Sequence, residues 1–213
     1  YQLGRNQEAE AAWRTLATTP GLVESALNLA SSLAERDQQA EALRVVAEAL
    51  DREPANQAAR LLYARLLNRA GRYDEAFAEL RPLLEPAGFV GSRNYLNELT
   101  GWTLLGLQRN EEALVYLREA QRGGVSGPAL ENNLALVLGR LGQTDEALQH
   151  QLEACRLAPE QASAWYHLGV LYELSARPQK ALEAYEQFLK IAPQDPAVEG
   201  LKSHLDELRK FSQ

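Results

Sequence analysis

Five alanines constrain what this chain can fold into. Ala42 and Ala76 lie 34 residues apart, as do Ala113 and Ala147, and Ala147 and Ala181; Ala76 to Ala113 is the exception, at 37. A fixed period of that length marks a stack of short supersecondary units, none of which can bury its apolar face alone. The clearest copy runs from Ala162 to Asp195 and reads as two amphipathic helices around a break at Ser175-Ala176-Arg177-Pro178. Trp165, Leu168, Gly169 and Tyr172 share a face of the first, and Ala181, Tyr185, Phe188 and Leu189 a face of the second. Pro193 closes the copy.

The period, the small-residue slot in each helix and the proline that closes several units resemble the tetratricopeptide repeat. Gly71-Arg72-Tyr73-Asp74-Glu75-Ala76 matches that family's Gly-x-Tyr-x-Glu-Ala turn. Gly71 suits a helix end because a left-handed backbone costs it little. The resemblance covers nearly the whole chain and implies an all-α fold, a right-handed α-α superhelix of antiparallel helix pairs. The expected organisation is one solenoid: the trailing half of a repeat over 1–22, with Ala9, Trp13 and Leu16 inward, then repeats over 23–56, 57–93, 94–127, 128–161 and 162–195. A last helix over 196–213, capped by Asp195 ahead of Pro196, carries Val198, Leu201, Leu205, Leu208 and Phe211 on one face, as a terminal cap requires.

The extra residues fall in Glu85–Arg93, which reads as a long inter-repeat loop. Beyond it the pattern reverses. The inward slots hold Asn97, Thr100, Gly101 and Leu104, while Tyr95, Leu99 and Trp102 share the face that the repeat template turns outward. Two readings stay open: an exposed aromatic anchor, or a face covered by the 86–93 loop. Gly123–Gly127 reads as a second joint, with Pro128 opening the next helix.

Charge narrows the partners. With a formal net charge of −7 and no run of Lys or Arg, the chain lacks the footprint that nucleic acid or an anionic membrane demands. No apolar stretch is long enough to span a bilayer. The single cysteine, Cys155, leaves the compartment open between cytoplasm and periplasm. The start at Tyr1 and the lack of methionine lead us to expect a mature or excised chain that continues upstream.

No catalytic, cofactor or metal constellation emerges. His150, His167 and His204 lack a ligand partner at i+4 spacing, and neither H-E-x-x-H nor a phosphate-binding Gly-rich motif is present. Gly124-Val125-Ser126-Gly127 departs from a nucleophile elbow at Pro128. Cys155 reads as a small buried hydrophobe, and His167 as a solvated ring on the outer side of its helix.

In tetratricopeptide arrays the first helices of successive repeats line a groove that holds peptides or protein elements. Carried onto this sequence, that resemblance nominates Arg65, Asn68, Arg69, Tyr95, Leu99, Trp102, Asn132, Arg140 and Tyr166 as partner-binding. Arg65 and Arg69 are one turn apart and, with Arg140, would make a basic groove on an acidic protein. Asn28 and Asn133 sit where carboxylate-clamp members place asparagine, but the partner positions hold Ala58 and Leu62, or Ser163 and His167, so such a clamp is not expected. The expected function is a non-catalytic scaffold for a peptide or helix with acidic and apolar residues, in keeping with repeat proteins of bacterial pilus, secretion and envelope assembly. The alternatives are the recognition region of an enzyme whose catalytic domain lies outside this chain, and self-association through the helix around Trp13.

Overall fold

The apolar periodicity resolves into eleven helices and no strand among the described residues, which in this computed structural model are 23–85 and 89–211, the last two as backbone only. The expected half-repeat over 1–22 lies outside them. We number the helices α1 Val23–Glu35, α2 Gln39–Arg52, α3 Gln57–Arg69, α4 Tyr73–Leu84, α5 Arg93–Gly106, α6 Asn110–Arg122, α7 Pro128–Arg140, α8 Thr144–Leu157, α9 Ala162–Leu174, α10 Pro178–Ile191 and α11 Val198–Phe211. Two compact units divide the chain, residues 1–108 and 109–213.

Within the first unit α1 packs on α2 and α3 on α4, and the first helices α1, α3 and α5 also touch in succession. In the second, α7 pairs with α8, α9 with α10, and α11 covers α10. The slot alanines explain the close pairing: Ala42, Ala76, Ala113, Ala147 and Ala181 are all fully buried. Gly169 fills the corresponding slot of a first helix, where a Cβ would overlap the Tyr185 ring.

The turns repeat as strictly as the alanines. Asp37, Gly71, Gln108, Gly142 and Ala176 all take positive φ, each just after a first helix. The chain then folds back through a backbone bond such as Arg72 N–H to Leu67 O or Gln143 N–H to Leu138 O, both 2.9 Å, satisfying carbonyls that the helix end orphans. Side chains start some of the first helices. Asn56 Oδ1 accepts from Ala59 N–H at 3.0 Å, and Ser92 Oγ from Tyr95 N–H at 3.3 Å. Pro128 opens α7, and Asp195 Oδ1 accepts from Ala197 N–H at 2.8 Å ahead of α11. On that last helix Val198, Leu201 and Leu205 are buried and Leu208 is half-buried.

Candidate partner-binding site

The nominated groove residues divide between the two units, and each set is described within its own. In the first unit the seam between α3 and α5 is closed. Asn68 is only 2% exposed and donates through Nδ2 to Thr103 Oγ1 at 2.8 Å, while Thr103 Oγ1 donates to Leu99 O at 2.8 Å. Leu99 is buried as well. The reading of Asn68 and Leu99 as groove contacts is therefore corrected. Both belong to helix packing, because in α5 buried positions extend beyond one stripe to Leu96, Leu99, Thr100, Thr103, Leu104 and Leu105.

Tyr95 and Trp102 are half-buried against the same core, and Phe89 of the inter-repeat loop joins them there. Arg93 fastens the loop. Its Nη1 donates to Leu83 O at 3.1 Å, and its guanidinium stands 5.1 Å from the Phe89 ring centroid. The aromatic face is thus neither a free anchor nor fully covered. Arg65 is half-buried and Arg69 exposed, and neither has a partner among the described residues. By contrast, Arg72, Arg109 and Arg156 each pair with a glutamate three residues away.

The second unit differs. Between α7 and α9 lies an apolar cavity of about 270 Å³, lined by Leu136, Gly139, Val170 and Leu174 among others, with Arg140 and His167 as its polar members. Arg140 is exposed, Asn132 half-buried, and Tyr166 half-buried against Phe188 and Tyr185, with ring centroids 5.5 and 5.7 Å away.

A partly buried relay fixes the His167 ring. The Ala164 carbonyl can only accept, so the Gln151 amide nitrogen faces it, at 2.9 Å. The same Nε2 lies 3.3 Å from Asn132 Oδ1, which must also be an acceptor. His167 Nδ1, 3.0 Å from that oxygen, therefore carries the hydrogen. Burial, and secondarily the Arg140 charge, hold the ring below its ordinary pKa of 6.5, so it is neutral and its Nε2 is a bare acceptor with no partner among the described residues. The expectation of a solvated His167 is corrected. One repeat earlier, Asn132 reaches across the seam to hold it.

Cys155 is buried, and burial pushes its thiol up to about 11, which leaves it protonated and unreactive. Among the described residues no cluster of His, Cys, Asp and Glu could hold a metal ion, and no helix is long and apolar enough to cross a membrane.

Two tetratricopeptide-repeat family models match, one over residues 33–88 and the other over 128–194. The chain belongs to the tetratricopeptide repeat family. Among solved structures, the tetratricopeptide protein TTC0263 of Thermus thermophilus is 22% identical at a TM-score of 0.67, over 85% of this chain and 97% of that one. YrrB, a tetratricopeptide protein with an unusual peptide-binding site, is 23% identical at 0.59, over 84% and 91%. The pilF protein of Pseudomonas aeruginosa is 19% identical at 0.67, over 96% and 86%. No curated protein matches in sequence. These likenesses establish an all-α tetratricopeptide fold, which is generally a non-catalytic interaction module and makes this protein a protein-interaction scaffold.

Proposed function

We propose that the scaffold binds a peptide or helical segment of a partner protein, rich in acidic and apolar residues, along the faces of its first helices. The setting is bacterial, as for the Thermus and Pseudomonas proteins whose fold it shares. The observation that carries the reading is the pair Arg65 and Arg69. Two guanidinium groups one turn apart on α3 have no partner within the described residues, on a chain whose net charge is −7. Charges of that kind are cheap to keep solvated and gain most when an acidic partner arrives. Tyr95 and Trp102 are further candidate contacts within the first unit, Asn132, Arg140 and Tyr166 are candidate contacts within the second unit taken by itself, and the peptide-binding site of YrrB offers a precedent on the same fold.

The test is a random twelve-residue peptide library displayed against the full chain. Selected peptides are expected to be acidic, and the Arg65→Glu, Arg69→Glu double variant should bind them roughly tenfold more weakly. An empty selection, or undiminished affinity in a folded double variant, overturns the proposal.

A further inference from the structure

We infer that the cavity between α7 and α9 is a recognition pocket for one phenylalanine-sized apolar side chain in an extended peptide, with a carboxylate beside it on Arg140. The inference rests on the scaffold reading above and adds the chemistry of one subsite to it.

The repeat register shows why the cavity exists. Asn68 lies four residues beyond the slot residue Ala64, and Gly139 four beyond Ala135; Thr103 lies two beyond Gly101, and Leu171 two beyond Gly169. The Asn68–Thr103 pair that closes the α3–α5 seam is therefore replaced at α7–α9 by Gly139 and Leu171. A Cβ on Gly139 would stand 3.0 Å from Leu171 Cδ2, so the leucine side chain lies against the helix at the glycine, and the cavity opens beside that contact. The cavity lies where the first seam carries its asparagine.

Its size and lining define the occupant. An apolar cavity of roughly 150 Å³ accepts a benzene ring, and this one, at about 270 Å³, has room for a phenyl group and its methylene. Leu174 is 64% exposed despite being a leucine, and it stands at this cavity. A side chain entering would cover it.

The polar members choose the neighbours. Arg140 is exposed, with its charge felt at the His167 ring, and a guanidinium favours a carboxylate bound through two parallel bonds. The relay from Ala164 O through Gln151 and Asn132 leaves His167 Nε2 as an acceptor. It suits the backbone N–H of an extended segment and rejects a second carboxylate.

Three capped peptides test this on the full chain by two-dimensional NMR titration: G-S-F-E-S-G, the same with alanine for phenylalanine, and the same with lysine for glutamate. The first should shift the Gly139 amide. The alanine peptide should bind about 100-fold more weakly, and the lysine peptide about tenfold more weakly. Gly139→Leu, which plugs the cavity, should abolish the preference for phenylalanine. Arg140→Glu, an exposed change that cannot threaten the core, should reverse the order of the glutamate and lysine peptides. If Gly139→Leu fails to fold, Leu174→Glu at the exposed mouth replaces it, with the same loss of phenylalanine preference expected. Equal affinity for the phenylalanine and alanine peptides, or an unchanged charge order in Arg140→Glu, overturns the pocket. Peptides that bind through Arg65 and Arg69 without discriminating at Gly139 overturn the pocket and spare the scaffold. A chain that binds none of them, and selects nothing from the displayed library, overturns both.

Discussion

The α3–α5 and α7–α9 seams occupy the same place in the repeat register and solve the same packing problem with opposite outcomes. At α3–α5 a polar pair, Asn68 and Thr103, is buried and hydrogen-bonded, and the seam is shut. At α7–α9 the polar groups have moved toward the helix starts, to Asn132 and His167, and the place of Asn68 is taken by Gly139 beside a cavity. The lesson is that a tetratricopeptide array keeps its fold through the slot alanines and its individuality through what stands a turn away from them. The fold-bearing positions are identical alanines in all five second helices, whereas the seam-bearing positions differ in size, polarity and partner.

The largest effect should be the one that shows the two seams resting on equal cores. Leu67 precedes Asn68, Leu138 precedes Gly139, and both leucines are fully buried. Replacing either with alanine removes buried methyl groups and leaves a cavity, at a cost of about 2–5 kcal/mol. Urea unfolding of Leu67→Ala and Leu138→Ala should give losses within about 1 kcal/mol of each other. A large disparity would mean that the seams differ in their cores and not only at the surface, and the comparison would fail.

A smaller effect separates them. Asn68→Gly should open the first seam as Gly139 opens the second. It removes a buried hydrogen bond and puts glycine in a helix interior, and we expect about 1–3 kcal/mol of destabilisation by urea unfolding. Part of the asparagine's cost is already unrecovered, since its Oδ1 has no partner among the described residues. An unchanged midpoint would show that the Asn68–Thr103 bond closes nothing.

These particulars also measure what is legible in the sequence. The period specifies the helices, the turns and the slot, because each is enforced by backbone geometry and helix contact that recur every repeat. The binding face is less legible. Asn68 and Leu99 are buried because α5 presses more than one stripe into the core, and a single helix pattern does not reveal how widely its neighbours wrap it. His167 looks solvated on its own helix because its partner, Asn132, stands 35 residues earlier. Spacing of one repeat is itself the signal: polar residues about one period apart on first helices meet across the seam. Gln151 carries no such signal, being a polar residue on a second helix that reaches Ala164 O through the interior.

The smallest effect is on acid stability, and it comes from the single ring that only the second seam has. His167 is held below its ordinary pKa of 6.5 mainly by burial and then by Arg140, and Asn132 on α7, Gln151 on α8 and Tyr166 beside it on α9 stand around the same relay. In the unfolded chain the ring takes its proton near 6.5, while in the folded chain it resists until lower pH. Its contribution is therefore fully present above that value, declines as the pH falls through the interval below it, and levels off once the folded ring is protonated too. His167→Gln keeps a donor for Asn132 Oδ1 and removes the titration. Thermal melts at pH 8 and pH 5 should show the wild type losing more stability on acidification than His167→Gln. The other two histidine contacts, His150 with Glu131 and His204 with Glu173, are common to both proteins and cancel in the difference. Equal losses would place the ring in solvent and return the second seam to the same electrostatic footing as the first.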